Sequence, residues 1–392
     1  MDLSFLEWPF FTKEHIDFAH RLDQFAREQL RDALADHDHS DAGLDRICRE
    51  IVRRLGAGGF LSACTVDPAT GAFDLRRICL GREILASYGG LADYGFAMQG
   101  LGSGPISLSG SAEQRKRYLP AVMSGENIAA FALSEPNAGS DVASMTTAAV
   151  RDGNDYVING IKTWISNGGI AAHYIVFART GEAPGAKGLS AFIVEADTPG
   201  FKVAERVHVI APHPLATLSF EDCRVPASAM VGRPGEGFQV AMGTLDVFRT
   251  TVGAAALGFA RRALEESLSR VEEREVFGKK LNTFQLTRAK IADMALGVDA
   301  SGLLVYRAAW VKDTLNRRIT REASMAKLFA TESAQSVIDM AVQLHGGLGV
   351  VSGKAAETLY REIRALRIYE GTSEIQRLVI ANEVMKEAGR SA

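Results

Sequence analysis

The order of apolar and polar positions changes twice along the chain. From Thr12 to about Gly125, apolar residues recur three and four apart, as in TKEHIDFAHRLDQFAREQL and LDRICREIVRRLGAGG. That spacing places them on one side of a helix and predicts amphipathic helices packed through that side. Gly58-Gly59, Gly89-Gly90 and the GLGSGP run from Gly100 to Pro105 divide the region into separate helical pieces. In SAEQRKRYLPAVMSG, Ser111 and Gln114 stand at capping-box spacing, so a helix is expected to begin there.

From about Ala129 the texture is different. TTAAV, DYVING, KTWIS, AHYIVFA, LSAFIVEA and ATLSFEDCRV are short and rich in β-branched and aromatic residues. They are separated by turn chemistry in DGND, NG, NGG, GEAPGAKG and DTPG. No crossover helix fits between runs this close, so antiparallel hairpins and a small β sandwich or barrel are expected. From about Glu236 the helical period returns and holds to the end. GFQVAMGTLDVFRTTVGAAALGFARRALEESLSRVEER predicts one long helix, with three more from about Thr283, Arg321 and Ser352. Long helices with mixed apolar and charged sides predict a bundle whose surplus apolar surface meets another subunit. The expected fold is α+β: a helical domain over 1–127, an antiparallel β sandwich or barrel over 128–235, and a C-terminal four-helix bundle over 236–392.

A chain of 392 residues exceeds one small core, and its hydrophobic share of 47% is ample for burial. The formal net charge of -3 supplies no basic footprint, so neither nucleic acid nor an anionic membrane is an expected partner. No apolar run is long enough to span a bilayer. MDLSFLEWPFFTKEH lacks a basic n-region and a small-residue cleavage site, so it is not expected to be a signal peptide. Cys48, Cys64, Cys79 and Cys223 form no CxxC pair and are expected as small buried residues in a reducing compartment. These readings together suggest a cytoplasmic, soluble, multidomain protein.

Five stretches are dense in chemistry, and each also has a plain structural explanation. In FALSEPNAGSD (Phe131 to Asp141) a strand enters a loop of small and hydroxyl residues, which suits a ligand approached by backbone N–H groups or suits an ordinary turn. In KTWISNGG (Lys162 to Gly169), strand alternation would put Trp164 and Ser166 on one face, either flanking a flat ring or with the tryptophan in the sheet core. In REVFGKKL, Arg274 stands where a long helix ends before Gly278, as a phosphate clamp or as a charge answering the helix dipole. In QLHGGLGV the double glycine ends a helix or admits a ligand closely. His345 has no second His or Cys at ligand spacing, and no metal is expected.

The fifth stretch, RIYEGTSEIQR, interrupts a helical pattern with Gly371 and two hydroxyl residues. Gly371 is expected to stop a helix at about Glu370, and Ser373 with Gln376 to restart one as a capping box. The negative end of the finished helix and burial beside Ile368 and Tyr369 would raise the Glu370 pKa toward that of a neutral-pH general base. An exposed glutamate in a turn between helices is the alternative.

LSEPNAGSD, WISNGG, REVFGK, QLHGGLG and YEGTSEIQR, in that order over nearly the whole chain, resemble the signatures of the acyl-CoA dehydrogenase family. The resemblance implies FAD as cofactor, a helical, a β and a four-helix-bundle domain, and a homotetramer built as a dimer of dimers. It implies that Phe131, Leu133, Ser134, Trp164 and Ser166 surround the isoalloxazine. Arg274, Phe277, Gln285, Gln343, Gly346 and Gly347 would reach the FAD of a neighbouring subunit, with Thr372 and Glu374 also near FAD. Ser140, Asp246 and Arg249 would face the thioester carrier, with Tyr369 beside the substrate. Glu370 falls on the family's catalytic base, which takes the α-proton while the β-hydrogen leaves as hydride to flavin N5. Some members carry the base one residue before the position of Arg249; here that residue is Phe248, which accepts no proton.

The implied reaction is α,β-dehydrogenation of an acyl-CoA to a trans-2-enoyl-CoA, with an electron-transfer flavoprotein as acceptor. The same oxidation of an acyl group on an acyl- or peptidyl-carrier protein is the close alternative. An acyl-CoA oxidase, a DNA-associated flavoprotein relative and a pure scaffold are less expected. Where the family usually has a glycine- and serine-containing turn, this chain has Pro212-His213-Pro214, which stiffens the loop and leaves the acyl carrier open.

Overall fold

The structure, a computed structural model, describes residues 1–35, 38, 40–67 and 70–389. The N-terminal period forms α1 (Lys13–Phe25), α2 (Arg31–Ala35), α3 (Asp41–Ala57), α4 (Leu75–Tyr88), α5 (Gly90–Ser109) and α6 (Ala112–Met123). Ser111 caps α6 reciprocally with Gln114, their side chains accepting from each other's backbone N–H at 3.2 and 3.0 Å. The Gln114 amide also donates to the carbonyls of Ser228 and Met230, at 2.9 Å each.

The strands are β1 (Ala129–Ala132), β2 (Ala148–Asp152), β3 (Asp155–Ser166), β4 (His173–Arg179), β5 (Leu189–Glu195), β6 (Phe201–Arg206), β7 (Leu215–Pro226) and β8 (Met230–Val231). Among the described residues they form one sheet in the order β6-β7-β3-β2-β4-β5-β8, with β1 on β4. Hairpin spacing yields antiparallel pairs for β2–β3, β3–β7, β4–β5 and β6–β7. Two pairings depart from that expectation, since β1 runs parallel to β4 and Ala148 of β2 pairs in parallel with Arg179.

The helical period then resumes in α7 (Gly237–Glu273), a single helix of 37 residues, followed by the short hairpin β9 (Glu275–Val276) and β10 (Lys279–Lys280). The last helices are α8 (Gln285–Leu315), α9 (Thr320–His345), α10 (Ala355–Leu366) and α11 (Ser373–Glu387). The helical, β, helical order is therefore as the sequence predicts.

The chain divides into two compact units. One comprises 32–74 and 94–248 and is built on the sheet. Its core gathers Phe131, Leu133, Ile175, Phe177, Ile193, Val240 and Leu245, all buried. The other comprises 1–31, 75–93 and 249–392 and is helical. In it α9 packs against α8, α10 and α11. A side chain at Gly253 would stand 3.1 Å from the Ala326 carbonyl and from Val305, so α7 approaches α9 and α8 closely there.

Candidate active site

In the helical unit, α10 does not continue to Glu370. It ends at Leu366, and Arg367 caps it with φ −80° and ψ −10°. The chain then turns through Glu370 and Gly371, with φ of +54° and +90°. A glutamate at positive φ is held there against its own preference, which marks a position fixed by its surroundings. Gly371 suits the turn because its φ of +90° strains any residue with a Cβ, which would also lie 2.4 Å from the Gln376 amide nitrogen and push that side chain aside. The residue that starts α11 is also not the expected one. Thr372, not Ser373, is the N-cap, and its hydroxyl accepts from the Ile375 N–H at 3.3 Å. Ser373 donates instead to Glu332 Oε1 at 2.5 Å, and Arg367 holds the same carboxylate through two bonds of 2.9 and 2.8 Å.

Three side chains grip the carbonyls of the turn. Lys327 Nζ donates to the Gly371 carbonyl at 2.8 Å. The Gln376 amide donates to the carbonyls of Glu370 and Gly371 at 3.3 and 2.9 Å. Arg249 Nε donates to the Glu370 carbonyl at 3.4 Å. Gln376 therefore acts as a clasp and not as the third residue of a capping box.

The Glu370 pKa is raised, and burial is the main cause; Arg82, Lys327 and Arg249 act against it. Of the two causes the sequence suggests, burial and the helix dipole, burial is the main one, although Ile368 and Tyr369 are themselves exposed. Glu370 Oε2 is buried and has no hydrogen-bond partner among the described residues. A carboxylate oxygen in that state is a proton acceptor in waiting. Arg82 is itself held in a two-bond pair with Asp93, at 2.8 and 2.7 Å, and donates to Thr251 at 3.1 Å. Sequence reasoning missed Lys327, Gln376 as a clasp and the Arg82–Asp93 pair. Lys327 had a signal: it sits with Ala323, Ala326, Ala330 and Ala334 on the buried side of α9, where a lysine is out of place.

In the sheet unit, Phe131 and Leu133 are buried in the core, and the Phe131 ring lies 4.9 Å from that of Phe177. Ser134 is half-buried, and its carbonyl accepts from the Thr163 N–H at 3.0 Å, which joins the loop after β1 to the end of β3. The simple alternation expected of Trp164 and Ser166 is broken. Between the pairs Lys162–Leu218 and Ile165–Ala216, β3 carries one extra residue, and Trp164 there has φ +59°. This bulge turns the indole outward, 59% exposed, and rules out the sheet-core reading. Ser166 is half-buried opposite Leu215.

The proline-flanked loop is anchored beside this strand end. The Pro214 carbonyl accepts from the Asn167 N–H at 2.9 Å and from the Tyr94 hydroxyl at 2.7 Å. The His213 ring packs 4.7 Å from the Tyr94 ring. Ser140 is exposed in the loop after β1, and Asp246 is half-buried on α7. Phe248 is 1% exposed, so that alternative position for a base is core.

Arg274 follows the end of α7 and is exposed, as are Gln285, Gln343, Gly346, Gly347 and Glu374; Thr372 is half-buried and Tyr369 is 38% exposed. Phe277 occupies the tip between β9 and β10, 96% exposed at φ +51°. Gly346 has φ +63°, and no atom lies within 4 Å of where a Cβ would stand at Gly346 or Gly347. An outward indole beside half-buried hydroxyls fits a flat heteroaromatic ring, and an exposed arginine with an open double glycine fits a pyrophosphate and its sugar. The residues present thus fit FAD. Among the described residues no group of three or more His, Cys, Asp or Glu stands ready to hold a metal ion.

Three acyl-CoA dehydrogenase family models match the chain: the N-terminal domain over residues 12–126, the middle domain over 130–223 and the C-terminal domain over 235–385. The chain is 40% identical over 341 residues to the human mitochondrial short-chain specific acyl-CoA dehydrogenase, covering 86% of this chain and 82% of that protein. It is 46% identical over 281 residues to the acryloyl-CoA reductase (NADH) of Anaerotignum propionicum, covering 71% of each. The crystal structure of a glutaryl-CoA dehydrogenase from Mycobacterium smegmatis in complex with FADH2 superposes with a TM-score of 0.87 at 28% identity, covering 98% of this chain and 96% of that one.

Proposed function

Because the chain belongs to the acyl-CoA dehydrogenase family of oxidoreductases, we propose that it removes the α- and β-hydrogens of an acyl-CoA with Glu370 as the α-proton base. The observation that carries this reading is the state of Glu370: half-buried with one carboxylate oxygen fully buried and unpartnered among the described residues, raised in pKa, and fixed on a left-handed turn by side chains from three helices. A base so placed need not reorganise to accept a proton, and partial desolvation strengthens its grip on one. Bound FAD would supply the acceptor for the β-hydrogen. Trp164, Ser134 and Ser166 would hold its ring, and Arg274, Phe277, Gln285, Gln343, Gly346 and Gly347 would serve the cofactor of a second copy. Arg249 and Ser140 would orient the thioester carrier.

An electron-transfer flavoprotein is the acceptor this reading calls for, and a dimer of dimers its assembly. The exposed Phe277 ring supports association. Among the described residues no helix is long and apolar enough to cross a membrane. A relative named for reducing acryloyl-CoA fits the same residues, since a base that takes the α-proton in one direction returns it in the other.

The test is Glu370→Gln, which keeps size and removes the proton acceptor. Stopped-flow bleaching of the flavin by a good acyl-CoA substrate should slow by ~10²–10⁴-fold, with flavin content and melting temperature kept. Reduction within about threefold of the parent rate would place the base elsewhere.

A further inference from the structure

Lys327 is 0% exposed, and its Nζ reaches the catalytic turn through the Gly371 carbonyl. Burying a lysine without a carboxylate in hydrogen-bond contact is costly, and a carbonyl acceptor alone offsets little of that cost. Four charged groups act on Glu370 from four helices: Arg82 of α4, Asp93 of α5, Arg249 of α7 and Lys327 of α9. Arg82 is neutralised by Asp93. Lys327 in turn feels Glu370, Arg249, Glu332 and Glu374, and Glu332 is already claimed by Arg367 and Ser373.

Resting on Glu370 as the base, we propose that Lys327 is a positioning residue that performs two tasks on it. Its N–H donor holds Gly371 and thereby the left-handed backbone of Glu370, and its positive charge keeps the half-buried carboxylate ionised over more of the neutral range. Gln376 shares the first task and carries no charge, so it lacks the second. Burial brings the Lys327 pKa down to about 8, so its charge is present at neutral pH and declines as the medium turns alkaline.

The two tasks separate experimentally. The rate of flavin bleaching by an acyl-CoA is measured from acid to alkaline pH on the flavin-loaded enzyme. In Lys327→Met and Lys327→Gln the acid limb should move up by ~1–2 pH units, as expected for loss of one nearby opposite charge. In Lys327→Arg, which keeps the charge, and in Gln376→Leu, which loses only the clasp, the limb should stay within ~0.5 unit. Hydrogen exchange of residues 367–373, read without substrate, should rise in Lys327→Met and in Gln376→Leu alike, because both loosen the turn. An unmoved limb in Lys327→Met and Lys327→Gln, with Glu370→Gln inactive, overturns the proposal and leaves Glu370 as the base. A Glu370→Gln enzyme at parent rate overturns both. Should neither neutral variant fold, Lys327→Arg decides alone: a limb moved by more than ~1 unit with the charge retained overturns the proposal.

Discussion

Lys162 Nζ lies 2.8 Å from Glu135 Oε1, with the lysine side chain 0% and the glutamate 4% exposed. The same ammonium donates to the Leu133 carbonyl at 3.0 Å. The carboxylate accepts from the Thr146 and Thr147 N–H groups at 2.7 and 2.9 Å and from the Thr146 hydroxyl at 2.9 Å. Lys162 of β3 is thus tied to the start of the loop after β1, and Glu135 ties that start in turn to Thr146 and Thr147 just before β2; β3 and this loop are the segments proposed to hold the flavin ring. Glu135 is held at a pKa of about 2 although burial works in the opposite direction; Lys162 and the threonine donors outweigh it.

Removing one partner of that pair leaves a buried charge alone. Lys162→Met or Glu135→Leu should each cost ~3–5 kcal/mol, while the two together should cost clearly less than the sum of the single losses. Thermal unfolding of the three variants measures this. Additive losses would show that the two groups do not act as a pair.

Acid should destabilise the fold through His173. Its ring is 1% exposed on β4, neither ring nitrogen has a hydrogen-bond partner among the described residues, and burial lowers its pKa to about 4. Unfolded, it would titrate near 6.5, so between ~6.5 and ~4 the unfolded chain binds a proton that the folded one refuses. Stability therefore falls with falling pH across that window, by about 3 kcal/mol from this residue once pH 4 is reached. His213, also lowered by burial, acts in the same direction. Melting temperature followed from pH 7 to pH 4.5 should fall less steeply in His173→Leu than in the parent, and equal slopes would acquit the residue.

Phe277 gives the proposed assembly a test that is separate from folding. Its 96% exposed ring and positive φ are both unfavourable for an isolated hairpin, so a glycine there should stabilise the hairpin by up to ~1 kcal/mol. Association should suffer, because the proposed assembly offers this ring to a second copy. Phe277→Gly is expected to shift the sedimentation profile toward smaller species and to release flavin more readily. A variant that associates and holds flavin as the parent does would remove Phe277 from the interface.

What sequence reasoning could and could not see divides along physical lines. The α7 period, the hairpin run from Ala148 to Pro226 and the Ser111 cap are local patterns, and each formed where residue spacing put it. The bulge at Trp164 was hidden because a bulge is set by the partner strand, here β7, and the segment itself reads as regular alternation. The end of α10 at Leu366 was misplaced because Gly371 drew attention as a helix stop, while the left-handed residue before it was a glutamate. Lys327 and Lys162 looked like ordinary helix and strand lysines, and their roles depend on groups 44 and 27 residues away.

The first residues of the chain are engaged with some of the last helices. The Phe5 ring stacks 5.8 Å from Tyr306, Phe11 meets the same ring edge-on at 4.7 Å, and the Arg261 guanidinium lies 4.3 Å from the Phe5 ring centre. Tyr306 also donates to the buried Glu83 carboxylate, which Arg261 holds as well. The helical unit is thus assembled from a head, a middle piece and a tail, and on the ribosome the head emerges long before its partners exist. The aromatic segment must wait, unsatisfied, until α7 and α8 have been synthesised, whereas the sheet unit is complete in sequence once residue 248 has emerged. Nascent chains stalled beyond that residue should hold a protease-resistant sheet domain, with the segment around Phe5 and Phe11 still open to cleavage.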